Sequence, residues 1–255
     1  TNTFNITMKF KPVKAFKTLF GLDIQEHQFP ADFDDMHKEI IRKVRPYTMT
    51  SEARLYGLIE SVKYVVNHQI PGDIVECGVW KGGSMMAVAE TLKYLGATDR
   101  HLYLYDTYAG MTAPTENDVD QLNRDAATQM QEEAAIKTES SVWAYSGLEE
   151  VKANIARTNY PSELIHFVEG DVLLTIPQTI SSEIALLRLD TDWYESTKHE
   201  MEQLYPKLVS KGVLIIDDYG FWKGSRKAVD EYLSQHKISL MLHRMDETGR
   251  SAVKP

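Results

Sequence analysis

Short apolar runs alternate with segments of helical periodicity over most of the chain, and this alternation limits the fold more than any other feature. Strands that alternate with helices form right-handed β-α-β units, which build an open, mostly parallel sheet with helices on both faces. Ligands of such sheets bind beyond the carboxyl ends of the strands. The chemistry is therefore expected in the residues that follow each apolar run.

The predicted elements are short and regularly spaced. The predicted strands comprise residues 73–77, 101–105, 164–168, 184–189, 213–216, 239–245 and 251–254, with the last two joined as a hairpin through DETG. The predicted helices comprise residues 48–69, 118–137, 148–158 and 225–236, a helix that runs from the glycine turn to about Tyr94, and a helix that opens at a capping box of Thr197 and Glu200.

Length, charge and cysteine content restrict the class of protein. A chain of 255 residues fits one large α/β domain or two small ones, and its net charge of −9 argues against a nucleic-acid binder. No apolar run approaches the roughly 18 residues of a membrane helix, and the N-terminal residues lack the apolar core of a signal peptide. The single cysteine, Cys77, excludes an internal disulfide and fits a reducing compartment. A cytoplasmic protein is therefore expected.

Two segments lie outside the alternation of strands and helices. Residues 1–46 are interpreted as an N-terminal arm, in which lysines and phenylalanines intersperse from Lys9 to Phe20. Packing of this segment on its own domain or on a second subunit is favoured over contact with a membrane. Residues 107–147 are polar and acidic, and an insertion of this length after a strand often serves as a lid. Residues 47–255 are predicted to form one domain that carries this lid.

The turn after the first predicted strand is rich in glycine. It delivers Glu76, Cys77 and Gly78, and then Gly82, Gly83 and Ser84. Glycine lets the backbone approach a ligand closely, although a glycine turn between a strand and a helix is also common for structural reasons alone. Val79 stands where a dinucleotide-binding motif would have its second glycine, so that motif is not present.

Acids follow the second and third strands. Asp106 ends the second strand, where an acid typically accepts hydrogen bonds from ribose hydroxyls. Asp171 follows the third strand, where it could meet an adenine amino group. Together with the glycine turn, Asp106 favours nucleoside binding over a merely solvated strand end.

Two neighbouring strands end in pairs of acids, Asp190 with Asp192 and Asp217 with Asp218. Four carboxylates at one sheet edge would repel each other, and a divalent cation removes that penalty. Oxygen ligands suit Mg²⁺, Mn²⁺ or Ca²⁺ rather than zinc. The alternative is that one pair caps a helix and the other is solvated. His199, close by in sequence, is interpreted as a surface residue.

The sequence resembles the macrocin O-methyltransferase (TylF-like) family over residues 47 to about 235. The most specific stretch runs from LLRLDTDWYESTKHEMEQLYPKL, beginning at Leu186, to GVLIIDDYG, beginning at Gly212. Further matches are YTMTSEARLYGL from Tyr47, GDIVECGVWKGGS from Gly72 and YDTYAGM from Tyr105. Two departures are a spacing of 27 from Asp190 to Asp217, about one residue short, and Thr191 where a glycine is common.

The resemblance implies a Rossmann-like class I methyltransferase with a mostly parallel seven-stranded sheet, a C-terminal antiparallel hairpin and a lid. It implies a cytoplasmic enzyme that transfers a methyl group from S-adenosylmethionine to a sugar hydroxyl of a glycosylated natural product. The reaction would require a divalent metal, Mg²⁺ or Mn²⁺. The resemblance also implies that the enzyme assembles into a homo-oligomer. The implied metal ligands are Asp190, Asp217 and Asp218, the implied general base is Asp192, and the implied S-adenosylmethionine-binding residues are Thr48, Met49, Glu76, Gly78, Ser84, Asp106 and Asp171.

Two other functions fit parts of the sequence. Asp190-Thr191-Asp192 is also a D-x-D pattern, by which many glycosyltransferases hold a metal and a nucleotide-sugar. That interpretation leaves Asp217, Asp218 and the glycine turn unexplained. A regulatory module that binds a nucleoside without catalysis is the second alternative, and the four aspartates argue against it.

Overall fold

The computed structural model describes residues 28–135 and 142–255. The chain divides between Asp34 and Asp35 into two units. In the described part of the first unit, the Phe33 N–H donates to the carbonyl of Pro30 over 3.1 Å and closes a turn. The lysine- and phenylalanine-containing segment from Lys9 to Phe20 lies outside the described residues. The division into an arm of residues 1–46 and a domain of residues 47–255 stays a prediction.

The second unit is built on a seven-stranded sheet with the strand order β3-β2-β1-β4-β5-β7-β6. The first five strands are parallel, and β7 pairs antiparallel with both β5 and β6. The predicted mostly parallel sheet with a C-terminal antiparallel hairpin is therefore confirmed. The strands are β1 (Asp73–Cys77), β2 (Leu102–Asp106), β3 (Ile165–Glu169), β4 (Ile184–Leu189), β5 (Leu208–Ile216), β6 (His243–Arg244) and β7 (Arg250–Val253).

Helices cover both faces of the sheet. One apolar core contains side chains of α6, α7 and α8 packed on the sheet, and α1, α2 and α3 pack on one another in a separate layer. No helix among the described residues is both long and apolar enough to cross a membrane. The helices are α1 (Asp35–Val44), α2 (Glu52–Asn67), α3 (Gly83–Tyr94), α4 (Ala126–Glu132), α5 (Leu148–Ala156), α6 (Val172–Thr175), α7 (Tyr194–Gln203) and α8 (Lys223–Gln235).

The strand order reverses between β1 and β4, and this position determines where the site lies. All six residues of β4 are buried, because the strand is central and both of its faces are covered. In an open parallel sheet, the connections from two adjacent strands diverge to opposite faces at such a reversal and leave a crevice. The residues that follow β1 and β4 therefore border the binding crevice.

Helix α7 begins earlier than the sequence suggests. The predicted capping box of Thr197 and Glu200 is wrong, because both residues lie inside α7, which starts at Tyr194. The Tyr194 N–H donates instead to the Asp118 carboxylate over 2.7 Å. The N-terminal backbone of α7 is thus capped by a residue 76 positions earlier in the chain, a partner that local sequence rules do not reveal.

Two other elements are shorter than predicted. The predicted helix at residues 118–137 is reduced to α4, because Val119 and Asp120 form antiparallel bridges with Asp125 and Trp222. The predicted strand at residues 239–245 is reduced to the two residues of β6. Local periodicity is weak in both places, and the backbone pairing that forms in the folded chain decides the extent of each element.

Asp246 organises the turn between β6 and β7 and ties it to α2. One carboxylate oxygen accepts the N–H groups of Thr248 and Gly249 at 2.9 and 2.7 Å. The other accepts the Ser51 hydroxyl at 2.5 Å and contacts the Arg54 guanidinium at 2.9 Å. Burial opposes ionisation, but these hydrogen bonds and the charge of Arg54 outweigh it and lower the pKa of Asp246 to about 2.

We expect Asp246→Asn to lower the free energy of unfolding by about 1–2 kcal/mol at pH 7. The folded-state pKa lies below the ordinary value, so the contribution of Asp246 is complete above about pH 4 and is lost as the pH falls towards 2. Urea denaturation at pH 7 and at pH 3 should therefore give a smaller difference from wild type at pH 3. Glu247→Gln, an acid in the same turn, is the matched control and should change stability by less than about 0.5 kcal/mol. A difference that is equal at both pH values would contradict the assignment.

Candidate active site

The register of the central strands brings the predicted acids together. Leu189, the last residue of β4, pairs with Cys77 on one side and with Ile216 on the other. The Asp190 N–H donates to the Cys77 carbonyl at 2.8 Å, and the Asp217 N–H donates to the Leu189 carbonyl at 2.9 Å. The residues after β1, β4 and β5 therefore lie side by side at the carboxyl edge of the sheet.

Gly78 is required where β1 and β4 end. Its φ of +83° lies in the left-handed region. A Cβ at this position would overlap the carbonyl oxygen of Asp190. Glycine therefore allows the backbone after β1 to cross directly over the backbone that carries the first acid of the site.

Asp190, Asp192 and Asp218 form a three-carboxylate group, in which one oxygen of each lies within 4.8 Å of the others. Burial, together with repulsion from neighbouring carboxylates, raises the pKa of Asp190 and of Asp218 well above the usual range. Asp218 Oδ2 is buried and has no hydrogen-bond partner among the described residues. An oxygen-only donor set with an unpartnered carboxylate oxygen fits a divalent cation such as Mg²⁺ or Mn²⁺.

Asp217 lies beside this group, but guanidinium groups already contact it. One oxygen accepts from Arg188 at 2.5 Å, and the other accepts from Arg54. The structure thus groups Asp192, rather than Asp217, with Asp190 and Asp218. The sequence-based assignment of Asp217 as a metal ligand stays a prediction.

Arg188 is the main feature of the site that the sequence analysis missed. It projects from β4, is 3% exposed, and donates to Glu76 at 2.6 Å and to Asp190 at 2.7 Å in addition to Asp217. It also donates to the Thr50 hydroxyl at 3.2 Å. The signal for it was a single cation inside the apolar run LLRL, since an unpaired charge is rarely tolerated in a buried strand.

Glu76 lies beneath the site, with no exposed surface. Its Oε1 accepts from Arg188, and its Oε2 is buried without a partner among the residues that the structure describes. Burial raises its pKa to about 7 in spite of the nearby guanidinium. It does not line either of the two cavities described below, and its assignment to cofactor binding stays a prediction.

Asp192 occupies a strained turn. Its φ is +67°, and the Trp193 N–H donates to the Thr191 carbonyl at 2.7 Å across it, as in a three-residue γ-turn. The Thr191 hydroxyl donates to buried Glu200 at 2.9 Å, and this hydrogen bond stabilises the turn. Burial raises the pKa of Asp192 to about 7. A carboxylate with such a pKa can accept a proton near neutral pH.

A first cavity, of about 710 Å³, lies over the ends of β1, β2 and β3. Gly78, Asp106 and Asp171 all line it, as the sequence analysis expects for a nucleoside site.

Asp106 accepts the backbone N–H groups of Val79, Trp80 and Tyr108 at 2.7, 3.0 and 2.7 Å. Burial raises its pKa, and these hydrogen bonds oppose that effect. Asp106 thus shapes the loops after β1 and β2. Asp171 accepts from the Leu173 N–H at 2.9 Å and caps α6.

A second cavity, of about 1070 Å³, lies over the ends of β4 and β5. It contains Asp217, Asp218 and the remaining predicted cofactor residues, Thr48 and Ser84. Both cavities have five lining residues in common, and these are Met49, Trp80, Ala144, Asp190 and Asp192. The two cavities therefore meet at the carboxylate group, and two ligands could meet there.

The described part of the 107–147 insertion packs on the residues that follow β4 and β5. Besides capping α7, Asp118 accepts the N–H of Thr115 at 2.7 Å, and the Trp193 indole donates to the carbonyl of Thr112 at 3.0 Å. Ala126 and Met130 pack in one apolar cluster with Trp193 and Trp222. These two tryptophans closely follow the acid-bearing turns, so the insertion and the acids are structurally linked.

The fold and this crevice define a Rossmann-like class I methyltransferase. Residues 9–252 match the family described as Macrocin-O-methyltransferase (TylF), and the chain belongs to that family. The chain is accordingly an O-methyltransferase, which decides against both the glycosyltransferase and the non-catalytic alternatives.

Similar proteins support this assignment. The 8-demethyl-8-(2,3-dimethoxy-alpha-L-rhamnosyl)-tetracenomycin-C 4'-O-methyltransferase of Streptomyces olivaceus is 33% identical over 80% of this chain and 74% of its own length. The demethyldecarbamoylnovobiocin O-methyltransferase of Streptomyces niveus is 31% identical over 85% of this chain and 81% of its own. The solved structure of the O-methyltransferase NovP superposes with a TM-score of 0.70 at 28% identity and covers 82% of both chains.

We expect Gly78→Ala to lower the free energy of unfolding by about 3 kcal/mol or more, because the methyl group would overlap backbone and the left-handed φ would be strained. Gly96→Ala is the matched control. Gly96 also has a positive φ, of +68°, but a Cβ added there would meet no atom within 4 Å, so only a conformational cost of about 1 kcal/mol is expected. Urea denaturation of both variants measures the difference. Equal losses of stability would refute the close approach of β1 and β4 as the reason for Gly78.

Proposed function

We propose that this enzyme transfers the methyl group of S-adenosylmethionine to a sugar hydroxyl of a glycosylated natural product, with the aid of a divalent cation. The observation that carries the proposal is the meeting of two cavities at the group of Asp190, Asp192 and Asp218. The relatives' names support the substrate class, since one specifies a rhamnosyl-tetracenomycin and another is a mycinamicin III 3''-O-methyltransferase of Micromonospora griseorubida.

The first cavity would take the nucleoside of the cofactor. Its position at the reversal of strand order is where such sheets bind nucleosides. Gly78 admits the backbone close to the ligand, Asp106 would face the ribose, and Asp171 would lie near the adenine. Thr48, Met49 and Ser84 would then surround the amino-acid end, where the first cavity opens into the second.

Asp190 and Asp218 would hold the cation. When bound, a divalent cation acts as a Lewis acid that lowers the pKa of a hydroxyl group and orients it. The unpartnered Oδ2 of Asp218 and the raised pKa values of both acids indicate a site that needs a positive charge. Asp217 would contribute through the arginines that contact it, which fix the turn after β5.

Asp192 would accept the proton of the attacking hydroxyl. Its turn holds the carboxylate at the junction of both cavities, and its pKa of about 7 suits a base near neutral pH. The protein would supply alignment of the hydroxyl with the methyl group. The aromatic residues Phe221 and Trp222 would border the acceptor in the second cavity, and the 107–147 insertion would exclude water.

The proposal is tested by calorimetric titration with S-adenosylhomocysteine, followed by methylation assays with deoxysugar glycosides and with nucleotide-sugars, in Mg²⁺ and in EDTA. One-site binding, with Mg²⁺-dependent methylation of a glycoside, is expected. Absence of S-adenosylhomocysteine binding would refute the cofactor assignment. Methylation that is unchanged in EDTA would refute the metal assignment alone, and turnover of nucleotide-sugars only would refute the substrate class.

A cytoplasmic location and a homo-oligomeric assembly complete the proposal. The single, fully buried cysteine fits a reducing compartment. Light scattering of the purified protein measures the assembly.

We expect Asp218→Asn to reduce turnover by at least about 10³-fold and to abolish its response to Mg²⁺, because one charged ligand is removed. The dissociation constant of S-adenosylhomocysteine should change by less than about twofold, since Asp218 does not line the first cavity. Asp35→Asn on α1, a fully exposed acid, is the control and should leave turnover and the metal response unchanged. Activity assays and titration calorimetry on the three proteins test this, and metal-dependent turnover near the wild-type rate in Asp218→Asn would contradict it.

A further inference from the structure

Trp80 has a buried hydrogen-bond donor without an acceptor. Its indole Nε1 has no hydrogen-bond partner among the described residues. Two of the other three tryptophans of the chain have indole partners. Trp143 donates to the Met130 carbonyl at 3.1 Å, and Trp193 donates to the Thr112 carbonyl at 3.0 Å. A buried donor left unpaired is unfavourable, so a ligand that accepts from it would gain affinity from that hydrogen bond.

The backbone of Trp80 is also held in an unfavourable conformation. Its φ is +48°, and its N–H donates to Asp106 at 3.0 Å, which fixes the turn. Strained residues of this kind persist where the surrounding structure over-determines them, and they cluster at ligand-binding positions. The strain positions the indole where it lines both cavities.

The charges that line the second cavity indicate which group of a ligand would accept a hydrogen bond from Trp80. The wall formed by Asp190, Asp192, Asp217 and Asp218 is acidic and would repel an anion. The same cavity lining contains the hydroxyl-bearing residues Thr48 and Ser84 together with Trp80. An S-adenosylmethionine molecule carries a positive sulfonium and an amino-acid end with one ammonium and one carboxylate. The sulfonium is favoured near the acids, and the carboxylate is favoured near hydrogen-bond donors such as the Trp80 indole N–H.

We propose that the Trp80 indole N–H donates a hydrogen bond to the carboxylate of the amino-acid end of the cofactor. Trp80 is thus a cofactor-binding residue that sets the position of the sulfonium relative to Asp190 and Asp192. This inference rests on the proposed function, since it presumes that S-adenosylmethionine binds here.

The test compares two probes that share an adenosine and a sulfur atom. S-adenosylhomocysteine carries the amino-acid carboxylate, and 5′-methylthioadenosine does not. Trp80→Phe keeps an aromatic ring and removes the donor. It should weaken S-adenosylhomocysteine binding about tenfold, the scale of one hydrogen bond to a charged group, and should change 5′-methylthioadenosine binding by less than about twofold. Titration calorimetry on wild type and variant gives both constants.

Two further variants serve as controls, one for misfolding of Trp80→Phe and one for the loss of an indole elsewhere in the chain. Trp80→3-benzothienylalanine replaces the N–H by sulfur at nearly constant shape, and it should reproduce the selective loss even if Trp80→Phe is poorly folded. Trp143→Phe, whose indole N–H has a protein acceptor, should leave the ratio of the two dissociation constants unchanged.

Steady-state kinetics distinguish a contact of Trp80 with the cofactor from a contact with the acceptor. The KM for S-adenosylmethionine should rise about tenfold in Trp80→Phe, with the KM for the acceptor unchanged. An equal loss of affinity for both probes would mean that Trp80 only shapes the cavity. An increase confined to the KM for the acceptor would mean that the indole contacts the acceptor. Either result would overturn the inference. If wild type fails to bind S-adenosylhomocysteine, the proposed function itself fails, which is a distinct outcome.

Discussion

The buried guanidinium of Arg188 is the interaction on which the site depends. It donates to Glu76 on β1, to Asp190 after β4 and to Asp217 after β5, so one cation links the three central strand ends. Removing such a cation would leave several carboxylates buried without compensation, a change that is strongly destabilising. Even so, five carboxylates and only two arginines surround this point among the described residues, and with all five carboxylates ionised the arrangement would carry an excess of negative charge. Such an excess would favour the divalent cation and the sulfonium of the proposed function at the same place.

Three of the nine non-glycine residues with a positive φ in the described part of the chain lie where the two cavities meet. Trp80, Ala144 and Asp192 have positive φ values of +48°, +40° and +67°, and each of these non-glycine residues lines both cavities. Each such conformation costs of order 1–3 kcal/mol and persists only when the surrounding packing fixes it. Here the fixing contacts are specific, since Asp106 holds the turn of Trp80 and Glu200, through Thr191, holds the turn of Asp192. The free energy spent on these turns gives the junction a defined shape before any ligand arrives.

The 107–147 insertion is a structural part of the site. Asp118 caps α7, and the Lys223 N–H donates to the Val119 carbonyl at 2.9 Å, so the insertion contacts the starts of α7 and α8. These helices begin just after the turns that carry Asp192 and Asp218. An insertion that completes a helix cap and an apolar cluster restrains the same turns that carry the acids.

The sequence by itself determined the fold class, most strand and helix positions and the gathering of acids at one sheet edge. Those features follow from local periodicity and from the rule that parallel strands share their carboxyl edge. The sequence associated Gly78 with close approach of a ligand, whereas the structure shows that it allows close approach of the Asp190 backbone. The tertiary structure alone decided which acid faces which partner. Arg188 contacts Asp217 outside the three-carboxylate group, Asp118 replaces the capping box expected at Thr197, and Trp80 lines both cavities. The physical reason is that these contacts join residues from 29 to 163 positions apart, and their geometry depends on strand register and helix packing, which no local pattern encodes.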